Sequence, residues 1–204
     1  MRWTMKSLVL PLVLLCTWGL QEGAQACSCL PVHPQTAFCQ ADVVIKAEVL
    51  AWKLVGGYEH KYDVKQIKMF KGAHRYIDAV YTPASSAACG VTFTKGVEYL
   101  ITGRLAPDGS LHVISCDFIM PWDNLTACQK SNLAQSYRKG CVCQITLCHA
   151  TPCSSRPFEC SWTDFVMNSG SQLQSKHFAC LKGGDGFCGW IRGIPSTKQG
   201  YQGL

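Results

Sequence analysis

The number of cysteines is the strongest constraint on what this chain can fold into. Fourteen cysteines occur in 204 residues. In a secreted protein this density indicates a disulfide framework, whereas in the cytosol the same residues would suggest metal ligands or reactive thiols. The compartment therefore decides how the cysteines are interpreted, and the N-terminus carries the relevant signal.

The first 26 residues have the layout of a secretory signal peptide. An apolar stretch covers residues 8–20 and is followed by the small-x-small cleavage site Ala24-Gln25-Ala26. A membrane anchor is the alternative, but this stretch is shorter than the roughly 20 apolar residues that span a bilayer, and it contains Pro11. We expect cleavage after residue 26, secretion into the extracellular space or matrix, and no membrane-spanning segment.

Charge and motifs narrow the class of function. Cleavage removes Arg2, Lys6 and Glu22, which changes the formal net charge from +6 to +5. This mild excess permits weak attraction to acidic glycans and does not indicate a nucleic-acid-binding protein. The sequence has no His-Glu-x-x-His, no Gly-x-Ser-x-Gly and no phosphate-binding glycine loop. We therefore expect a binding protein without catalytic residues and without a cofactor of its own.

The spacing of the cysteines suggests two modules. Cys16 leaves with the signal peptide, so thirteen cysteines remain and at least one has no partner within the chain. Zinc binding by pairs such as Cys141-x-Cys143 is the alternative, but thiols oxidise outside the cell. Cysteines are sparse before residue 128 and crowded from 141 to 188. We predict a signal peptide at 1–26, an N-terminal domain at 27–141 and a C-terminal domain at 142–204.

Residues rich in β-branched and aromatic side chains predict strands in the first module. The turn sequence Ala106-Pro107-Asp108-Gly109-Ser110 predicts a hairpin between the last two strands. Alternation slips along the second strand, where Tyr62 and Val64 share one face and Ile67 and Met69 the other, which predicts a bulge near Gln66. Five strands favour a small Greek-key barrel, although the pattern is also compatible with a sandwich. The predicted strands are 43–51, 61–70, 77–82, 98–104 and 111–115.

A helix is predicted after the last strand. Asp123 is the candidate N-cap, and Gly140 can end the helix. Between them an apolar stripe repeats at helical spacing. The stripe consists of Leu125, Cys128, Leu133 and Tyr137.

The predicted mature N-terminus, Cys27-Ser28-Cys29-Leu30-Pro31, carries a free α-amine on a cysteine. If Cys27 and Cys29 are both in disulfides, the backbone around Ser28 is rigid, and the amine and its carbonyl form a bidentate ligand for a metal of another protein. The pKa of such an amine is about 7.7–8.0, so a neutral fraction exists at extracellular pH. A catalytic zinc keeps one coordination position open. The alternative is that Cys-x-Cys merely anchors a terminal strand.

Several motifs of the chain together resemble the tissue inhibitors of metalloproteinases. The resemblance covers essentially all of residues 27–192 and is greatest to the second and fourth vertebrate paralogues, through Val43-Val44-Ile45 and the run 65–72. The matching motifs are Cys27-Ser28-Cys29, His33-Pro34-Gln35, Cys39, residues 65–72, residues 85–90, Cys116-Asp117-Phe118, Pro121-Trp122-Asp123 and Cys160-Ser161-Trp162-Thr163-Asp164.

The resemblance implies a mainly β fold with some α. An N-terminal five-stranded OB-like (netrin-like) β-barrel with helices is followed by a small disulfide-rich C-terminal module. It also implies six disulfides, which are Cys27–Cys89, Cys29–Cys116, Cys39–Cys141, Cys143–Cys188, Cys148–Cys153 and Cys160–Cys180.

The resemblance further implies how such a protein inhibits matrix metalloproteinases. The Cys27 amine and carbonyl chelate the catalytic zinc of the protease, and Ser28 points into the mouth of its specificity pocket. The next residues, Cys29, Leu30 and Pro31, follow the primed side of the cleft. A second loop occupies the unprimed side and consists of Ser85, Ser86, Ala87 and Ala88. From residue types alone, this second loop would be interpreted as a plain solvated turn.

Some residues depart from the family pattern or add to it. Cys128 is an extra cysteine, interpreted either as a buried inert thiol or as an intermolecular bridge. Asn124-Leu125-Thr126 is a glycosylation sequon. The C-terminal tail lacks the acidic residues with which some paralogues hold the haemopexin domain of a progelatinase, which argues against that partner. A candidate basic strip for weak heparan sulfate binding consists of Lys61, Lys65, Lys68 and Lys71, although the modest net charge favours an ordinary solvated strand face.

Two other functions are compatible with the predicted fold. A netrin-like module could bind matrix or receptors without inhibiting a protease, and it would tolerate an extended N-terminus. Single-stranded nucleic-acid binding is suggested only by the OB-like barrel, and secretion and the modest charge oppose it.

Overall fold

The computed structural model describes residues 27–72, 75–150, 152–153, 156–166 and 172–194. The predicted signal peptide and the C-terminal tail from residue 195 lie outside these residues. Within the described part of the chain, no helix has the length and apolar character needed to cross a bilayer.

Five strands form a closed ring. Strand β1 (Val43–Val55) pairs with β2 (Glu59–Lys71), and β2 pairs with β3 (Ala79–Pro83). Strand β3 runs parallel to β5 (Leu111–His112), β5 pairs with β4 (Glu98–Leu105), and β4 returns to β1. The closure confirms the predicted barrel and excludes a sandwich for these strands.

The strands differ from the prediction mainly at their ends. Strands β1 and β2 are longer than predicted, and β6 (Ile119–Pro121), which adds to β4, was not predicted. Strand β5 ends early, at His112. There the chain turns, because the Asp117 carboxylate accepts a hydrogen bond from the Ile114 N–H at 2.8 Å and the Asp117 N–H donates to the Ile114 carbonyl.

A β-bulge interrupts the second strand where the sequence predicts one. Gln66 and Lys68 lie opposite neighbouring residues of β1, so Ile67 between them has no partner. The side chain of Ile67 is exposed, whereas Met69 packs against the barrel core. The prediction that Ile67 and Met69 share a face was wrong, because the extra residue turns Met69 back to the face of Tyr62.

Among the described residues, four helices surround the barrel and the chain after it: α1 (Pro34–Gln40), α2 (Ala127–Gln135), α3 (Tyr137–Gly140) and α4 (Leu173–His177). The first three cover a second apolar cluster outside the barrel interior. Each residue of the predicted apolar stripe is buried, which confirms the stripe; these are Leu125, Cys128, Leu133 and Tyr137.

The start of α2 differs from the prediction. Asp123 is not the N-cap but lies in a 3-10 turn, Trp122–Asn124. Thr126 caps the helix instead: its hydroxyl accepts from the Gln129 N–H at 3.1 Å, and the Gln129 side chain accepts from the Thr126 N–H at 2.9 Å. This reciprocal capping box satisfies two backbone donors that an Asp123 cap would leave unpaired.

The C-terminal part consists of two small sheets that are linked by disulfides. Strand β7 (Gln144–Leu147) runs parallel to β8 (Glu159–Trp162), and β9 (Phe178–Lys182) forms an antiparallel hairpin with β10 (Cys188–Arg192). The structure contains six disulfides, and they are the same pairs that the family resemblance implies: Cys27–Cys89, Cys29–Cys116, Cys39–Cys141, Cys143–Cys188, Cys148–Cys153 and Cys160–Cys180.

The buried side chain of Gln35 joins helix α1 to the C-terminal part. Its Nε2 donates to the carbonyls of Gly140 and Cys180 at 2.9 and 2.8 Å, and its Oε1 accepts from the Cys180 N–H at 2.8 Å. Buried backbone groups need such partners, so this amide holds α1, α3 and β9 in register.

His33 lies next to this joint and is also buried. Its Nδ1 accepts a hydrogen bond from the Gln35 N–H at 3.1 Å and so caps helix α1. The ring packs against Trp162 and Trp190, with ring centroids 5.4 and 5.2 Å away. Burial lowers the pKa of His33 from its usual value of about 6.5 to about 4, although the Gln174 backbone and Asp164 act in the opposite direction.

This burial predicts a loss of stability at mildly acidic pH. Between about pH 6.5 and pH 4 the unfolded chain binds a proton at His33 that the folded chain excludes. The stabilisation is therefore complete above about pH 6.5, and about 3 kcal/mol is lost as the pH falls to 4. Denaturant unfolding of the wild type and of His33→Asn at several pH values measures the difference, since asparagine can cap the helix but does not titrate.

The expected result is that His33→Asn removes this part of the pH dependence. The matched control is His149→Asn, because His149 is exposed. Equal pH profiles for the wild type and His33→Asn would contradict the prediction.

Candidate functional site

The segment of residues 27–31 lies on the surface and is held by two disulfides. Cys27 is bound to Cys89 and Cys29 to Cys116, each pair with a Cα–Cα distance of 5.2 Å. Residues 28 to 31 are exposed, and Leu30 is 85% exposed. Because the bridges lie on both sides of residue 28, the backbone there is fixed from both directions.

The second predicted segment, residues 85–88, is an exposed turn closed by its own hydrogen bonds. Ser86–Ala88 form a 3-10 turn, and the Ser85 hydroxyl accepts from the Ala87 N–H at 3.2 Å. Cys89 ends the turn in the left-handed region at φ 63°. The Cys27–Cys89 bridge brings this turn to the terminal segment, and we call the two segments, 27–31 and 85–88, the ridge.

The end of strand β3 supports the ridge. A Cβ atom on Gly90 would collide with the carbonyl oxygen of Pro83 and would lie 2.9 Å from that of Ser85. The hydroxyl of buried Thr82 accepts from the Val91 N–H at 3.0 Å. The backbone before the turn is therefore in direct contact with the backbone after it, and this contact fixes the position of the turn on the barrel.

Ser115 lies behind the ridge, between its two bridges. The Ser115 hydroxyl oxygen is 3.3 Å from the Cys27 sulfur and 4.0 Å from the Cys29 sulfur, and its N–H donates to the Cys89 carbonyl at 2.8 Å. The carboxylate that shapes this turn belongs to Asp117, and burial raises its pKa. Ser115 is not predicted from the sequence, where its only signal is its position directly before Cys116.

The tip of the β1–β2 hairpin lies beside the ridge. The Ala84 N–H donates to the Tyr58 carbonyl at 2.9 Å, which places the tip next to residue 85. Tyr58 is 75% exposed, and Trp52 and Leu54 on the same hairpin are more than half exposed. The sequence predicts the two strands, but it does not show that their outer halves leave the barrel and present apolar side chains.

The chemistry of the described residues favours contact with a partner over a metal centre of the chain itself. Two groups of sulfur atoms each lie within 4.8 Å of one another. All six atoms belong to disulfides, so they lack the thiolate that binds zinc. The two groups are Cys27, Cys89 and Cys116, and Cys143, Cys180 and Cys188.

The remaining predicted sites near helix α2 have different surroundings. Asn124 is exposed, and the hydroxyl of Thr126 in its sequon donates to the Lys176 carbonyl at 2.6 Å. Cys128 is unpaired and buried, with its thiol 3.1 Å from the Gly193 carbonyl. Its burial favours the inert thiol over the intermolecular bridge.

Two lysines of the predicted basic strip have partners within the chain. The Lys61 ammonium lies 3.4 Å from the Asp63 carboxylate, and the hydrogen bond that it donates to this carboxylate raises the pKa of Lys61. Lys71 donates to two carbonyls at the end of α1, and burial lowers its pKa. Lys65 and Lys68 are exposed. Weak heparan sulfate binding stays a prediction, and within the strip Lys65 and Lys68 are the lysines that remain exposed to support it.

The contact at Gly90 predicts that a methyl group there displaces the turn. We expect Gly90→Ala to lower the free energy of unfolding by about 1–3 kcal/mol and to increase amide hydrogen exchange at residues 86–90, because backbone must move to make room. The matched control is Gly189→Ala, since a Cβ at Gly189 meets nothing within 4 Å. Unchanged exchange in the turn of Gly90→Ala would contradict the prediction.

Comparison with known proteins agrees with this geometry. Residues 25–190 match the family described as "Tissue inhibitor of metalloproteinase". The chain is 46% identical to "Metalloproteinase inhibitor 2" of Cavia porcellus, covering 97% of this chain and 96% of the relative. It is also 46% identical to the Homo sapiens protein of that name, covering 95% and 93%, and 43% identical to that of Gallus gallus, covering 90% and 89%. The chain belongs to the tissue inhibitor of metalloproteinase family.

Proposed function

We propose that the mature chain is a secreted, non-enzymatic inhibitor of zinc endopeptidases of the matrix metalloproteinase class. The observation that carries the proposal is the ridge: two exposed segments, distant in sequence, that the Cys27–Cys89 disulfide joins, while Cys29–Cys116 ties the terminal segment to the chain after β5. The relatives are named metalloproteinase inhibitors, which supports the same function.

The reactive group in this proposal is the backbone of Cys27. Signal cleavage after residue 26 would free its α-amine, whose usual pKa of about 7.7–8.0 leaves a neutral fraction at extracellular pH. The amine nitrogen and the Cys27 carbonyl oxygen would take the open position of the protease zinc and displace its water. Inhibition would follow because no scissile bond is presented to the metal.

The rest of the ridge would set the position of Cys27 in the cleft. Ser28 would point into the specificity pocket, Cys29, Leu30 and Pro31 would follow the primed side, and residues 85–88 would follow the unprimed side. Covering Leu30, which is 85% exposed, would contribute about 2 kcal/mol. Tyr58 at the hairpin tip lies beside the turn and would widen the contact.

Rigidity of the ridge would decide its affinity. A flexible segment loses about 1–2 kcal/mol of backbone entropy for each residue that is ordered on binding. Here the disulfides and the turn have ordered these residues before the protease arrives. The binding energy is then available for the zinc and the cleft instead of being spent on ordering the chain.

The proposal also covers the domain boundaries, the likeness to particular paralogues, the glycan and progelatinase binding. We infer an inhibitory domain at 27–141 and a C-terminal domain at 142–204. The relatives compared above are inhibitors of the second type, so the likeness to the fourth paralogue stays a prediction. A glycan on exposed Asn124 is compatible with the structure. The C-terminal tail from residue 195, which would be the part of the chain that contacts a progelatinase, lies outside the described residues.

The mechanism predicts that one residue before Cys27 abolishes inhibition. An added alanine converts the amine into an amide, which cannot chelate zinc, so the inhibition constant should rise by on the order of 1,000-fold, about 4 kcal/mol. Carbamylation of the amine should have the same effect. The measurement is inhibition of purified collagenases, gelatinases and membrane-type enzymes by the mature and extended forms.

The control is the thermal unfolding midpoint, which should be equal in both forms. Full potency of the extended form would exclude chelation. Absence of inhibition by both forms would favour the netrin-like binding module that acts on matrix or receptors.

The proposed domain boundary predicts that residues 27–141 inhibit without the remainder. Three bridges close within this part, Cys27–Cys89, Cys29–Cys116 and Cys39–Cys141, and they include both that hold the ridge. The fragment should keep its inhibition constant within about tenfold and unfold at a lower temperature, because Gln35 loses its bonds to Cys180 and His33 loses its contacts with Trp162 and Trp190. Loss of all inhibition by a folded fragment would contradict the proposed domain.

A further inference from the structure

The two disulfides behind the ridge are close enough to exchange partners. The sulfurs of Cys27, Cys89 and Cys116 lie within 4.8 Å of one another although they belong to two bridges. Cys29, the fourth cysteine, is exposed. We propose that these sulfurs and the Ser115 hydroxyl form a thiol-reactive site, at which a small extracellular monothiol catalyses rearrangement of both bridges and releases the terminal segment.

The first step is attack by the external thiolate on Cys29, the most exposed of the four cysteine residues. Cys29 is exposed, whereas its partner Cys116 is half-buried, and access decides which sulfur is attacked. A bond forms between the external sulfur and the Cys29 sulfur, and the Cys29–Cys116 bond breaks. Cys116 leaves with the electron pair as a thiolate.

The second step is attack by the Cys116 thiolate within the group. It bonds to the Cys89 sulfur, the Cys27–Cys89 bond breaks, and Cys27 leaves as a thiolate. The Ser115 hydroxyl favours this direction: a disulfide sulfur carries no hydrogen, so at 3.3 Å the hydroxyl is the donor and Cys27 the acceptor. A donor at the departing sulfur lowers the basicity of the leaving thiolate, and less basic thiolates leave faster.

The third step returns the catalyst. The Cys27 thiolate attacks Cys29, two residues away, and the external thiolate leaves with its electron pair. The bridges are now Cys27–Cys29 and Cys89–Cys116, so no sulfur is oxidised or reduced overall and the mass of the protein is unchanged. The terminal segment is no longer bonded to the barrel.

The C-terminal part offers an internal control of matched geometry. The sulfurs of Cys143, Cys180 and Cys188 also lie within 4.8 Å of one another. Cys143 and Cys180 are buried, as is Cys160, the partner of Cys180, and Cys188 is half-buried. This group has the same proximity without an exposed sulfur for the first step, so it should stay unchanged while the ridge bridges rearrange.

The test is a disulfide map of the mature protein after incubation with a catalytic amount of reduced glutathione. Free thiols are blocked with iodoacetamide, and non-reduced peptides are identified by mass spectrometry. We expect Cys89–Cys116 and Cys27–Cys29 to appear while the other four bridges stay intact. Ser115→Ala should rearrange about three- to tenfold more slowly. Ser115→Thr, which keeps the hydroxyl, and Ser110→Ala, whose lost hydroxyl contacts Asp108 and His112 and no cysteine, should react at nearly the wild-type rate.

Three results would overturn the proposal. The first is a disulfide map that does not change. The second is alkylation of Cys29 and Cys116 while Cys27–Cys89 is still intact. The third is rearrangement of the Cys143, Cys180 and Cys188 group before the ridge bridges. An equal rate for Ser115→Ala would remove the role of the hydroxyl. The map is measured without a protease, so it is decided independently of the proposed inhibition; where inhibition holds, potency should fall in step with formation of Cys89–Cys116.

Discussion

The attachment of the terminal segment to the barrel is the constraint on which the rest of the structure depends. A short exposed segment cannot hold one shape alone, because ordering each residue costs about 1–2 kcal/mol and few contacts offset that cost. Here Cys27 and Cys29 are bonded to Cys89 and Cys116, which follow strands β3 and β5 of the closed ring. The position of the segment is therefore set by the barrel.

The C-terminal part fixes the other end of the same segment. Two residues after Pro31 the chain reaches His33, which packs between two tryptophans of the C-terminal sheets, and then Gln35, which bonds to Gly140 and Cys180. Disulfides thus hold the N-terminal end of the segment, and the buried contacts of His33 and Gln35 hold the chain directly after its C-terminal end. This arrangement gives the C-terminal part a role in the geometry of the ridge.

Residues whose role is set by neighbours in sequence were predictable, and residues whose role is set by tertiary contact were not. The slip in alternation located the bulge near Gln66, but only the paired strand shows that it returns Met69 to the core. The Asp123 N-cap failed because Thr126 with Gln129 satisfies more backbone donors. Only its position before Cys116 marks Ser115 in the sequence, since the two sulfurs beside its hydroxyl belong to residues more than 80 positions away.

Rigidity of the ridge and reactivity of its sulfurs have one structural cause. Two cysteines separated by one residue can fix the residue between them only if both bridges reach nearby points of the barrel, and this brings sulfurs of different bridges together. In the C-terminal part the same proximity is enclosed by the protein, so the bridges act as core. At the ridge, enclosure would cover the surface that we propose as the contact with the protease. Exposure of Cys29 therefore follows from the proposed function, and a reactive pair of bridges follows from that exposure.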